Sequence, residues 1–245
     1  MRIETKMKTI GLAGVMALAV LSAAADPVLS ANSLGVQKVT LTTKNAVIAV
    51  QWSACGTGGD ISVQDIVKTA NLSVGDQLMV YDCETMRYAS TFALEEQDGQ
   101  RQWVRTDAGG VGPVTLSRGN ALLLSRVSAG AVDVYLHGQA EAAEVGPKPT
   151  IAVGTRENPK YTLLASPMAG DEPIALDDRL FSGEVGASDT VWVPGSVERY
   201  WQKGASGSAF GKKGWGGDVT PVTVAPGTGF WYVSRGGSPT VNWGN

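Results

Sequence analysis

Beyond about residue 33, apolar and polar positions alternate with a period of two, in short runs separated by Gly, Asp and Asn. Lys38–Thr42, Ala46–Trp52, Gln77–Asp82, Arg87–Phe92, Gln102–Arg105, Val114–Ser117, Ala121–Arg126 and Val132–His137 are the clearest runs. They are rich in Val, Leu and aromatic residues, so they predict short, half-buried strands. Only Ser62–Ala70 and Ala175–Phe181 have a helical spacing, and Ser62 with Asp65 resembles a first-turn cap. Many short strands without strand–helix alternation predict an all-β fold of sandwich-like or barrel-like modules, each with at most one short helix.

The pattern is written twice. Ile61-Ser-Val-Gln-Asp65 aligns with Ile174-Ala-Leu-Asp-Asp178, and Asp76-Gln-Leu-Met-Val80 with Asp189-Thr-Val-Trp-Val193. Arg87-Tyr88 then matches Arg199-Tyr200, Trp103 matches Trp215, Pro113-Val-Thr115 matches Pro221-Val-Thr223, and Gly119 matches Gly227. Leu122-Leu-Leu-Ser-Arg126 meets Phe230-Trp-Tyr-Val-Ser-Arg235, with one residue more in the second copy. The collinear order of these matches indicates a duplication. The expected organisation is a first module over 34–140, a Gly-Pro-Lys-Pro linker over 141–149 and a second module over 150–245.

Residues 1–25 read as a secretory signal peptide. Arg2, Lys6 and Lys8 precede the apolar run Ile10–Leu21, and Ala23-Ala24-Ala25 before Asp26 supplies small residues for cleavage. The run is shorter than the ~20 residues a membrane helix needs, so no membrane span is expected after cleavage. The expected location is therefore secreted: periplasmic, cell-surface or extracellular. An oxidising compartment makes a disulfide between Cys55 and Cys83 the preferred reading, with two free thiols as the alternative.

Composition narrows the chemistry. Thirty-one glycines fit turns used twice over, and a net charge of −3 gives no basic footprint for nucleic acid. His137 is the single histidine, and it reads as a solvated strand residue. No phosphate loop, dinucleotide fingerprint or zinc spacing occurs, so no cofactor and no metal site is expected. Paired carboxylates are the remaining catalytic option, with Glu95, Glu96, Asp177, Asp178 and Glu198 as candidates. Asp76 and Asp189 recur just before a strand, where an aspartate closes a turn; calcium ligation and catalysis are the alternatives.

The aromatic residues differ between the copies. Tyr88/Tyr200 and Trp103/Trp215 occur in both, which points to building the fold. The second copy adds Trp192 opposite Met79, Trp201 opposite Ala89, Trp231 opposite Leu123 and Trp243 near His137. In Val191-Trp192-Val193 alternation sends the valines to the core and Trp192 to the other face. Trp192, Trp201, Trp231 and Trp243 thus form either a ligand platform or the inter-module surface. Gly211-Lys-Lys-Gly-Trp215 reads as a solvated hairpin tip, or as added affinity for an anionic glycan.

Tyr161-Thr-Leu-Leu-Ala-Ser-Pro167, Thr190-Val-Trp-Val193, Val224-Ala-Pro-Gly-Thr-Gly-Phe-Trp231 and Thr240-Val-Asn-Trp243 follow one another in a recurring order. That order resembles exported tandem β-repeat proteins of planctomycete and verrucomicrobial bacteria, in which a Leu-Ala-Pro-Gly-Glu-Gly-Phe-Trp-Val-like strand closes each repeat. The first copy departs from it at Leu116-Ser-Arg-Gly-Asn-Ala-Leu-Leu123, which lacks the Pro-Gly and the aromatics. The resemblance implies export and β-architecture and carries over no catalytic residue. The expected function is an exported, non-catalytic structural or binding protein of the envelope or extracellular space, with polysaccharide or other envelope proteins as partners. A carbohydrate-binding protein using the second copy's tryptophans is the alternative, and a glycan-active enzyme a distant third.

Overall fold

Strand pairing repeats itself in a computed structural model that describes residues 33–55, 59–107, 114–140, 149–165, 172–176, 181–186, 188–194, 199–202, 214–215 and 223–241. The signal segment 1–25 and linker residues 141–148 lie outside the described residues. In the first copy, β2 (Asn45–Ala49), β4 (Gln77–Asp82), β5 (Arg87–Gln97), β6 (Gln100–Arg105) and β8 (Ala121–Ser125) form an antiparallel sheet in the order β2-β8-β4-β5-β6. In the second copy, β10 (Lys160–Ala165), β13 (Thr190–Trp192), β14 (Arg199–Gln202), β15 (Gly214–Trp215) and β17 (Gly229–Ser234) form β10-β17-β13-β14-β15, the same order. A short ladder of β3 (Ile61–Ser62) and β7 (Thr115–Leu116) also has its counterpart in β11 (Ile174–Ala175) and β16 (Thr223–Val224). The fold is all-β with antiparallel sheets, as the alternation predicts.

The third ladder differs between the copies. In the second, β12 (Phe181–Glu184) pairs with β18 (Ser238–Val241). In the first, the equivalent place beside β9 (Val132–Ala140) holds a single bridge, Val67 to Leu136, and β9 pairs instead with β1 (Ser33–Leu41). The bridge also explains why the helix expected over Ser62–Ala70 shrinks to α1 (Val63–Ile66). Val67 turns extended, and its carbonyl accepts the Trp103 indole N–H at 3.0 Å. Ser62 makes no cap bond; its hydroxyl donates to Gln64 Oε1 at 2.6 Å. The second expected helix, Ala175–Phe181, begins in β11 and ends in β12, and residues 177–180 between them lie outside the described residues.

Register corrects the sequence alignment in two places. Met79 pairs with Leu123 as Trp192 pairs with Trp231, and Leu94 pairs with Trp103 as Trp201 pairs with Trp215. Those equivalences place Arg199-Tyr200 at Phe92-Ala93, not at Arg87-Tyr88, and Trp201 at Leu94, not at Ala89. The β4–β5 hairpin is therefore longer than its counterpart. The extra residue assumed after Phe230 also disappears: Leu78 pairs with Leu124 as Val191 pairs with Tyr232, so Val127 corresponds to Arg235.

Each sheet buries one face in its own core. Ile48, Leu78, Phe92, Leu94, Leu122 and Leu124 fill the first, while Leu164, Val191, Phe230 and Tyr232 fill the second. Alternation turns Val47, Ala49 and Ala121 the other way, onto Leu163 and Ala165 of the second copy. Main-chain bonds seal this contact reciprocally: Ala49 N–H donates to Gly227 O at 2.9 Å, and Ala165 N–H to Gly119 O at 2.8 Å. Because Ala49 and Gly119 correspond to Ala165 and Gly227, the two copies meet about a pseudo-two-fold axis. Gly119 and Gly227 both have positive φ, 86° and 73°, which presents their carbonyls for these bonds and which a side chain would strain.

Candidate functional site

An aromatic cleft opens where this inter-copy face reaches solvent. On β17, alternation sends Phe230 and Tyr232 into the core and leaves Trp231 and Val233 facing the cleft; on β13 it buries Val191 and turns Trp192 outward. Tyr161 on β10 joins the same face. The opposite wall comes from the first copy: Leu123 on β8, and Tyr81 and Tyr88 on the long β4–β5 hairpin. The cavity so enclosed measures about 470 Å³, within the range of small-ligand sites.

The rings brace one another. Tyr81 stands edge-on to Trp231, with centroids 4.9 Å apart at 85°, and edge-on to Tyr88, at 5.7 Å and 73°. Such T-shaped contacts match positive ring edges to negative faces and restrain the side chains. Trp192, Tyr88 and Tyr161 keep 41%, 45% and 40% of their surface exposed. Burial, helped by nearby Cys83, pushes the Tyr81 phenol above its ordinary pKa, so it stays a protonated donor at neutral pH.

The hairpin wall is fixed at its tip and against the second copy. Asp82 accepts from Glu84 N–H at 2.8 Å and from the Thr85 hydroxyl at 2.8 Å, and these bonds, the hydroxyl's first, lower its pKa. Lys160 of the second copy donates to Glu84 O at 3.1 Å. Arg235 closes the other edge of the cleft, its guanidinium donating to Thr190 Oγ1 at 2.9 Å and Ser188 O at 3.3 Å.

Asp76 and Asp189 close turns. Asp76 accepts from Ser73 N–H at 2.9 Å and Val127 N–H at 2.8 Å. Asp189 repeats both bonds, with Gly186 N–H at 2.8 Å and Arg235 N–H at 2.6 Å, and adds the Tyr232 hydroxyl at 2.6 Å. Both carboxylates are buried and hold the start of β4 or β13 against the strand end beside it. Burial, then the bond to Asp189, raises the Tyr232 pKa and keeps it a donor.

Of the four candidate tryptophans, the structure brings Trp192 and Trp231 together in the cleft. Trp201 lies on β14 paired with Trp215, at the register position of buried Leu94. The side chains of Trp201 and Trp215, the tip residues 211–213 and Trp243 lie outside the described residues. Among the candidate carboxylates, Glu95 and Glu96 sit at the far end of β5 from Tyr88, where Glu96 meets Arg101 at 3.7 Å; Asp177, Asp178 and Glu198 lie outside the described residues. Sequence reasoning missed the tyrosine wall. The Arg-Tyr match of Tyr88 to Tyr200 points to a structural role, and the usable signal is the length of the hairpin between Tyr81 and Tyr88.

Two further expectations are corrected. Cys55 and Cys83 are not bonded. The longer hairpin carries Cys83 toward the second copy, its thiol 3.9 Å from Thr150 O, while Cys55 is exposed on the turn after Ser53, which bridges Gln139 of β9. His137 is half-buried rather than solvated: Nε2 is enclosed, and desolvation together with Lys68 depresses its pKa. Among the described residues no helix is long and apolar enough to cross a membrane, and no cluster of three His, Cys, Asp or Glu is placed to hold a metal ion. Compared with known proteins, the chain matches no family model, no curated sequence and no solved structure.

Proposed function

We propose that this chain is an exported, non-catalytic carbohydrate-binding protein whose ligand occupies the cleft between the two copies. The observation that carries this reading is the aromatic cavity of about 470 Å³, with part-exposed Trp192, Tyr88 and Tyr161 around Trp231 and Tyr81. Sugar rings stack their C–H faces on such π surfaces, and the phenol, indole and guanidinium N–H and O–H groups at the margin supply donors for hydroxyls. Among the described residues the cleft is lined by aromatic and aliphatic side chains and the Arg235 guanidinium, a lining that supports holding a glycan. The pattern of residues 1–25 supports export.

Affinity electrophoresis in gels containing soluble polysaccharides tests the reading, with tryptophan fluorescence following each titration. Retardation by at least one glycan is expected, and Trp192→Ala weakens it about tenfold or more. Met79→Ala, at the matching position of the first copy, leaves it unchanged. Equal mobility in every gel overturns the reading. Protein recovered from outside the cytoplasm is expected to begin at Asp26.

A further inference from the structure

We infer that Tyr81 sets the specificity of the cleft: its hydroxyl selects a saccharide with free ring hydroxyls over one whose hydroxyls carry methyl or acyl caps. This rests on the carbohydrate-binding reading above. Tyr81 lines the cleft, and its ring stands edge-on to both Trp231, at 4.9 Å, and Tyr88, at 5.7 Å. Two such contacts fix the ring, and with it the place of the hydroxyl, before a ligand arrives. A donor held in advance spends little entropy on binding, so its bond discriminates more sharply than one from a mobile side chain. Among the described residues no protein group takes a hydrogen bond from this hydroxyl. Burial first, then the neighbouring Cys83, Tyr88 and Tyr161 groups, raise the Tyr81 pKa, so the phenol is protonated at neutral pH. A protonated phenol both donates and accepts, as a sugar hydroxyl does, whereas an ether or ester oxygen only accepts and brings added bulk.

The duplication separates what the skeleton needs from what the cleft adds. Tyr81 follows Met79 and Val80 as Pro194 follows Trp192 and Val193, so the second copy holds a proline at its position. A proline side chain carries no hydroxyl, and the sheet forms in that copy all the same. The first copy thus keeps a phenol where the shared fold asks for none. Tyr161 is a second case: the register sets it at Asn45 of the first copy. The phenols of Tyr88 and Tyr161 line the cleft with Tyr81 and act on its ionisation, so three hydroxyls gather in one region, two from one copy and one from the other. Tyr88 and Tyr161 are the more exposed of the three, which makes Tyr81 the group with the most fixed position.

Calorimetric titration of the full chain with cellotetraose, laminaritetraose and the O-methylated form of each tests the inference. At least one free tetrasaccharide is expected to bind, about tenfold or more tighter than its O-methylated form. Tyr81→Phe keeps the ring and its two aromatic contacts and removes the hydroxyl alone. It is expected to weaken the free sugar about tenfold and to leave the O-methylated one unchanged, so the preference disappears. Tyr88→Phe and Tyr161→Phe weaken the free sugar by about threefold each. Should Tyr81→Phe fail to fold, the Tyr81 ring-carbon resonance decides on the unaltered protein: it shifts with the free sugar and not with the O-methylated one. Equal affinity for free and O-methylated sugar, or a preference that survives Tyr81→Phe, overturns the inference and leaves the carbohydrate reading standing. No binding of any of the four overturns the inference about Tyr81, and the gel survey decides the reading beneath it.

Discussion

The two copies share a skeleton and differ on one face. Strand order, the Asp76 and Asp189 turn clamps and the Gly119 and Gly227 turns repeat. On the inter-copy face, Met79, Leu123 and Val127 are replaced by Trp192, Trp231 and Arg235. Positions that close turns and seal the contact are held by geometry that both copies need. Positions at the open margin are not, and there the second copy became aromatic. The first copy contributes differently, through β1 and a longer hairpin whose tyrosines face those tryptophans. The cleft thus needs both halves of an unequal pair.

The clamps give the sharpest break in that comparison. Asp189→Ala strands three backbone N–H groups, that of Gly237 at 3.4 Å among them, and a buried hydroxyl, whereas Asp76→Ala strands two N–H groups. With roughly 1–3 kcal/mol for each buried donor left unpaired, the expected losses are about 3–5 kcal/mol for Asp189→Ala and about 2–3 kcal/mol for Asp76→Ala. Urea unfolding of the two variants measures the difference. Equal losses would mean that the added Tyr232 and Gly237 bonds contribute nothing and that the clamps are equivalent in energy as well as position.

The contact at the pseudo-axis gives the next effect. Ala121 and Gly229 occupy equivalent positions, and a methyl group built on Gly229 falls 2.9 Å from Ala121 Cβ, 2.6 Å from Val47 Cγ1 and 2.5 Å from Leu164 O. There is room for one methyl group of the pair. Gly229→Ala is expected to cost about 2–3 kcal/mol through overpacking. Adding Ala121→Gly returns part of it, because the clash with Leu164 O remains. Thermal unfolding of the single and double variants reads this coupling; additive losses would show that the copies do not meet there.

What was legible in the sequence followed from the period of two. Alternation places the strands, and in Val191-Trp192-Val193 it assigns Val191 to the core and Trp192 to the opposite face, where the structure has them. The aspartates were readable because a carboxylate before a strand has a local partner, the N–H three residues earlier. Hairpin length was not readable. Arg87-Tyr88 and Arg199-Tyr200 look alike, yet cross-strand pairing, which is non-local, sets Arg199 at Phe92. That one slip hid Tyr88 among the structural residues, and with it the first copy's wall of the cleft. The helix over Ser62–Ala70 failed for a related reason: a long-range bridge from Val67 to Leu136 outweighed local spacing.

The cysteines report on how tightly the first copy's hairpin rests on the second. Cys83 sits on that hairpin, half-buried against Thr150, and burial raises its thiol pKa; Cys55 is exposed. A raised pKa leaves less thiolate, and burial slows access, so both effects act in the same direction. Iodoacetamide without reductant at pH ~8 is expected to label both residues, with Cys83 slower than Cys55 by about an order of magnitude. Peptide mass spectrometry over time separates the two rates, and urea removes the difference. A mass that changes only after reduction would restore the bridge. Equal rates in the folded protein would mean that the hairpin does not rest on Thr150, and the tyrosine wall of the cleft would lose its support from the second copy.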